Sequence, residues 1–154
     1  MQYGNKRKRA IMKIVWEFVL VLGIVLGGHY PAYSDMARGN EEVLDAVQTA
    51  ENIGVNPVII GELLSGFTQG SHALQNVKQL EMFLDSPRCV VLPIVKESAQ
   101  RYAYIHNTLR KAGTPIPAND LWIAATAMEH GLTVVTLDRH FARIPQILCR
   151  VCGG

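Results

Sequence analysis

The chain has 154 residues, of which 49% are hydrophobic and 18% charged, and its formal net charge at pH 7 is +2. This composition is typical of one globular domain with an aliphatic core and excludes an intrinsically disordered chain. The small net charge excludes a strongly basic domain, so any contact with nucleic acid must depend on local clusters of Lys and Arg.

The N-terminal segment 1–31 has the pattern of a secretory signal. Basic residues at positions 6–9 and 13 precede an uncharged apolar run, 18–28, and small residues follow it. The alternative is that residues 18–26 form a buried strand at the centre of a parallel sheet, because such strands are apolar on both faces. We favour the strand and expect the protein to stay in the cytoplasm, since removal of this segment would expose the apolar faces of its neighbours. Export is the alternative.

Apolar periodicity and helix-breaking residues predict alternating helices and strands in the rest of the chain. Because strands that alternate with helices usually pair in parallel, the pattern predicts one α/β domain over residues 32–150 with a mostly parallel sheet. Helices are expected at 40–53, 58–67, 71–84, 96–112 and 119–130, and strands at 88–94, 132–136 and 146–151.

Three cysteines and five histidines carry no clear metal-binding pattern. An odd number of cysteines, Cys89, Cys149 and Cys152, indicates reduced thiols and not a disulfide framework. Cys149 and Cys152 form a single CxxC without the second pair that a structural zinc site requires. The histidines show no ligand spacing, and we assign them no special role.

Three carboxylates occur where predicted elements begin or end. Glu62 lies in the first turns of an apolar helix, Asp120 begins another, and Asp138 follows a strand by two residues. Ligands of parallel sheets bind beyond the carboxyl ends of the strands, so the three acids can converge at one edge. A cluster of oxygen ligands favours Mg²⁺ or Mn²⁺, and such ions support phosphodiester hydrolysis. Individually, the acids could instead serve a helix dipole, a turn and a surface ion pair.

Three stretches of the chain resemble a known family. The stretches AYSDMARGN, NPVIIGELLSGF and IPANDLWIAATAMEHGLTVVTLDRHFARIP, within about residues 32–148, are similar to PIN-domain ribonucleases, in particular VapC-type toxins of toxin–antitoxin pairs. The resemblance implies a three-layer α/β/α sandwich, cleavage of single-stranded RNA with Mg²⁺ or Mn²⁺, an antitoxin partner and a homodimer. It also implies that Glu62, Asp120 and Asp138 are three of the family's four catalytic, metal-binding acids.

The fourth acid of the family is missing from the expected position. Counting back from AYSDMARGN places it at His29, and the nearest carboxylate is Asp35. Either residue is a possible substitute, although imidazole is a poor ligand for Mg²⁺. One hypothesis is that segment 1–31 is translated from a slipped frame, because codons for Gly27, Gly28, His29 and Tyr30 shifted by one nucleotide can encode Val-Asp-Thr followed by another residue.

Two functions from different classes therefore stay open. The first is an endoribonuclease in which Arg101, Arg139 and Arg143 bind RNA phosphates, unless these arginines only form a solvated face. The second is a catalytically inactive domain that binds RNA or an antitoxin through the same cleft. Tyr102 and Trp122 could stack on bases, but at helical spacing aromatic residues are more often part of the core.

Overall fold

The computed structural model describes residues 41–43, 45–67 and 73–153 of the protein. Residues 41–43 and 45–49 are helical. The elements that follow are, in chain order, β1 (Ile53–Val55), α1 (Pro57–Phe67), α2 (Ala73–Leu84), β2 (Cys89–Val91), α3 (Lys96–Lys111), α4 (Ala118–His130), β3 (Thr133–Thr136), a 3₁₀ helix (Arg139–Arg143) and β4 (Leu148–Val151). None of the described helices combines the length and apolar character needed to cross a membrane.

The predicted helices and the strands predicted at 88–94, 132–136 and 146–151 are confirmed in place, but β1 is a strand that the sequence did not predict. Two further corrections apply. The helix predicted over 40–53 is too long, because Ile53 belongs to β1, where its amide donates to the Arg88 carbonyl at 2.7 Å. Strand pairing with β2 outweighs the local helical periodicity there. The Arg88 guanidinium caps the preceding helical stretch by donating to the carbonyls of Val47, Gln48 and Ala50. The second correction is the 3₁₀ helix, which we did not predict.

The strands form two parallel pairs, as the alternation of helices and strands predicts. β1 pairs with β2, with Gly54 opposite Val90, and β3 pairs with β4, with Val134 opposite Cys149. Residues of β1 and β3 both line an apolar cavity of about 380 Å³ between the two pairs. Segment 18–26, which we predicted as a buried strand, lies outside the described residues, and so do the rest of segment 1–31 and Asp35.

The core around α3 and α4 fixes the positions of the elements that carry the acids. Small residues on α4, among them Ala124, let it approach α3 closely, and Phe141 of the 3₁₀ helix enters the same core at 1% exposure. Burial of one large apolar side chain contributes about 1.5–3 kcal/mol, so this core holds the 3₁₀ helix firmly against α4. The buried members of the core are Ile105, Leu109, Leu121, Ala124, Phe141 and Ile144.

Candidate metal centre

Asp120 lies in the first turn of α4, where the helix begins after Pro117. Its side chain is almost completely buried, at 2% exposure. Within the described part of the chain no donor group forms a hydrogen bond to its carboxylate. A buried carboxylate without a donor is costly unless a cation compensates it, so this residue indicates a site for a positively charged group.

Asp138 is held just beyond the carboxyl end of β3 by hydrogen bonds with its neighbours along the chain. Its amide donates to the hydroxyl of the buried Thr136 at 2.9 Å, and its Oδ1 accepts from the His140 amide at 2.8 Å. The second bond makes Asp138 the N-cap of the 3₁₀ helix. The carboxylate therefore has a fixed direction at the end of the strand.

His140 completes a cluster that the sequence did not reveal. Its Nδ1 lies 3.2 Å from Oδ1 of Asp138. Three ligand atoms, one from each of Asp120, Asp138 and His140, lie within 4.8 Å of one another. The short-range signal was the Asp-x-His spacing across the turn after β3, which we had not interpreted as a ligand pattern.

Glu62 faces the same site from α1 and is oriented by Asn119, the residue before Asp120. Its Oε1 accepts a hydrogen bond from Asn119 Nδ2 at 2.7 Å, and its Oε2 is buried without a hydrogen-bond partner in the described region. Because Asn119 and Asp120 are neighbours on α4, this bond links Glu62 to the site. Sequence reasoning missed the role of Asn119.

A buried asparagine fixes α1 against α4 and so sets the distance between Glu62 and Asp120. The Asn56 side chain caps α1 by accepting from the Ile59 amide at 3.0 Å, and its Nδ2 donates to the Thr126 hydroxyl on α4 at 3.0 Å. With 1% exposure, Asn56 satisfies polar groups of both helices inside the protein. The two helices that carry Glu62 and Asp120 are thus joined by a buried polar contact.

The electrostatics of the cluster favour a bound cation. The pKa of Asp120 is raised to about 6, first by burial and then by the negative charges of Asp138 and Glu62, whereas His140 lowers it. The N-terminus of α4 favours an anion, but burial and repulsion outweigh that effect here. A bound divalent ion would offset both the cost of burying the Asp120 charge and its repulsion by Asp138 and Glu62.

The donor set fits a small divalent ion. Two ligands on opposite sides of a Mg²⁺ or Mn²⁺ ion lie about 4.2 Å apart, since each metal–oxygen distance is about 2.1 Å. Adjacent ligands of such an ion lie closer, about 3 Å apart. The donor atoms of Asp120, Asp138 and His140 lie within 4.8 Å of one another, so they could hold one ion after an inward movement. Glu62 is not part of this group of three and would have to approach from α1 to supply a further oxygen ligand.

Of the remaining predicted residues, the arginines expected to bind RNA are exposed. Arg101 lies on α3, and Arg139 and Arg143 lie at the two ends of the 3₁₀ helix that begins next to Asp138. Tyr102 packs against Trp122, with ring centroids 4.4 Å apart, and contacts the hydrophobic core. This position agrees with the alternative that these aromatic residues belong to the core and do not stack on bases. His29 and Asp35 lie outside the described residues.

Comparisons with known proteins give the family. A family model described as "PIN domain" matches residues 32–147. The chain is 34% identical over 94 residues to Ribonuclease VapC4 of Mycobacterium tuberculosis, covering 61% of this chain and 72% of the relative. It is 33% identical over 93 residues to Ribonuclease VapC1 of Rickettsia felis, covering 58% of this chain and 69% of the relative.

Solved structures of similar fold support the predicted architecture. The crystal structure of VapBC2 from Rickettsia felis, bound to a DNA fragment from their promoter, matches with a TM-score of 0.64 at 22% identity, covering 87% of this chain and 95% of the matched one. DNA-bound VapBC from Salmonella typhimurium matches with a TM-score of 0.61 at 25% identity, covering 73% and 83%. The predicted three-layer α/β/α fold is confirmed.

Proposed function

The chain belongs to the PIN domain family, and from this premise we propose that it is a divalent-metal-dependent endoribonuclease that cleaves single-stranded RNA as the toxin of a toxin–antitoxin pair. The names of its relatives support the proposal, because those from Mycobacterium tuberculosis and Rickettsia felis are ribonucleases called VapC. The observation that carries it is the meeting of Asp120 and Asp138 in one cluster.

In the proposed reaction Asp120 and Asp138 would hold Mg²⁺ or Mn²⁺, and Glu62 would provide a third carboxylate. When bound, such an ion would supply Lewis-acid stabilisation of the charge that develops on the phosphate and would lower the pKa of a water molecule. The protein supplies orientation: Asn119 directs Glu62, and the turn after β3 directs Asp138. Exposed Arg101, Arg139 and Arg143 would attract the RNA backbone.

We propose an antitoxin protein as partner, together with a homodimer and a cytoplasmic location. The structural neighbours support a protein partner, because they are VapBC complexes, two of them bound to DNA. For this chain, co-expression with the protein encoded next to it and size-exclusion chromatography would test the partner and the oligomeric state.

The absence of an acid at position 29 favours a second function. The family's fourth acid falls on His29, and loss of one carboxylate weakens the hold of a site on a hard cation. The alternative is therefore a catalytically inactive PIN domain that binds RNA or an antitoxin. Cleavage assays on the wild type and on a His29→Asp variant separate the two functions, since the inactive domain cleaves only after the acid is restored.

The decisive experiment is a manganese titration with a fluorescent single-stranded RNA on the full chain. We expect cleavage that requires Mn²⁺, stops with a chelator and falls at least about 100-fold in Asp120→Asn, because this carboxylate lies at the centre of the cluster. The matched control is Asp85→Asn, which makes the same chemical change at an exposed position. Cleavage that persists in the chelator or in Asp120→Asn would refute the proposal.

A further inference from the structure

We infer that His140 is a nitrogen ligand of the bound ion and that it makes this site prefer Mn²⁺ to Mg²⁺. The inference deepens the proposed function and rests on it, since it concerns the same metal centre. It assigns a role to a histidine that has no role predicted from the sequence.

The His140 ring is turned toward the acids of the cluster. Hydrogen bonds along the chain fix the backbone of the turn at both Asp138 and His140, and the His140 ring returns to within 3.2 Å of the Asp138 carboxylate. Nδ1 therefore points at the acids and not away from them. Because the His140 side chain is 44% exposed, the ring has room to adjust to an ion without disturbing the core.

Independently of the ring, the site contains carboxylate oxygens that lack hydrogen-bond donors in the described part of the chain. Asp120 is 2% exposed, and no donor in the described part of the chain forms a hydrogen bond to its carboxylate. Glu62 Oε2 is also buried without a partner there. These oxygens point to a cation at this end of α4, and a ring nitrogen of His140 lies within 4.8 Å of a carboxylate oxygen of Asp120 and of Asp138.

The consequence follows from ligand chemistry. Mg²⁺ demands oxygen ligands in near-ideal octahedral geometry, whereas later first-row ions bind imidazole increasingly well. A site of carboxylates plus one imidazole therefore gains affinity for Mn²⁺ relative to Mg²⁺. Replacement of the imidazole by a carboxamide, whose donor is oxygen, should remove that gain.

The test is pulsed electron paramagnetic resonance on the full chain with one equivalent of Mn²⁺. The wild type is expected to show a ¹⁴N coupling from a directly bound imidazole, and His140→Gln is expected to lose it. In the same variant Mn²⁺ affinity should fall about tenfold or more, while Mg²⁺ affinity changes much less. His130→Gln is the matched control, because His130 lies at the other end of α4 beside Glu129.

A His29→Gln variant separates His140 from the other candidate imidazole. Loss of the coupling in His29→Gln with retention in His140→Gln would overturn the inference, and so would wild-type protein that binds Mn²⁺ without any nitrogen coupling. In both cases the proposed nuclease centre would still stand. Wild-type protein that binds no Mn²⁺ would overturn the inference and the proposed metal site together.

Discussion

At the scale of single residues, the ionised Asp120 destabilises the folded protein when no metal is bound. Asp120 is placed where both burial and the neighbouring acids disfavour its charge. Such an arrangement persists in proteins where function requires the charge, and the ligand restores part of the lost stability when it binds. The metal-free protein should therefore be less stable than it would be with a neutral residue at this position.

We predict that Asp120→Asn stabilises the metal-free protein at pH 7.5. Because the pKa of Asp120 is about 6 in the folded chain, above its ordinary value, the ionised group opposes folding. The expected gain is on the order of 1–3 kcal/mol in the free energy of unfolding, measured by urea denaturation in a chelator. The gain should be smaller at pH 4.5.

The sign of this pH dependence follows from linkage. An acid whose folded pKa is raised favours the folded state while it is protonated, so its contribution to stability is lost as pH rises from about 4 to about 6. Asp85→Asn, at an exposed position, should not reproduce the effect. An Asp120→Asn protein that is equally or less stable at pH 7.5 would contradict the electrostatic account.

At the scale of elements, α4 and its end determine where the acids lie. The helix begins next to Pro117 and ends at Gly131, whose φ of 64° is in the left-handed region. This ending turns the chain at once into β3, and β3 leads to Asp138. Gly131 therefore helps to determine where Asp138 lies relative to Asp120.

We predict opposite effects of alanine at two glycines that both have open space for a Cβ atom. Gly131→Ala should destabilise by about 1 kcal/mol, because an L-residue is strained at positive φ. Gly61→Ala, within α1, should stabilise by about 0.5–1 kcal/mol, because alanine favours helix. Thermal unfolding of both variants measures the difference, and destabilisation of equal size at the two positions would contradict this explanation.

At the scale of the whole molecule, β1 and β3, one strand from each parallel pair, line the same apolar cavity. A Cβ atom added at Gly54 of β1 would lie 2.7 Å from Leu132 Cδ1 and 2.8 Å from Leu92 Cδ1. From the sequence alone, we propose that the apolar run 18–26, which lies outside the described residues, forms a buried strand of the sheet. The proposal is supported by its uncharged sequence, because a strand with two paired neighbours is apolar on both faces.

This proposal predicts that Val21→Asp destabilises the protein by at least about 3 kcal/mol, because a charge would enter the apolar interior. Amides of residues 53–55 and 133–136 should also exchange faster with solvent. Leu74→Asp is the control, since Leu74 on α2 is 87% exposed. Unchanged stability and exchange in Val21→Asp would show that the run lies elsewhere.

Local patterns in the sequence determined the elements and the identities of the three acids. Helical periodicity, Pro57 and Gly131 fixed α1 and α4, and the alternation of helices with strands was sufficient to predict parallel pairing. These features depend on neighbours within a few residues, so a single sequence contains them. The same reasoning failed at Ile53, where pairing with a distant strand decided the conformation.

Only the tertiary structure decided how the acids are surrounded. Asn119 holds Glu62 although they are 57 positions apart, and the 3₁₀ helix brings His140 back to Asp138. The burial of Asp120, and with it the rise of its pKa, arises from the packing of α4 against the rest of the core. The sequence by itself names the groups, but their distances and their desolvation are produced by contacts between elements far apart in the chain.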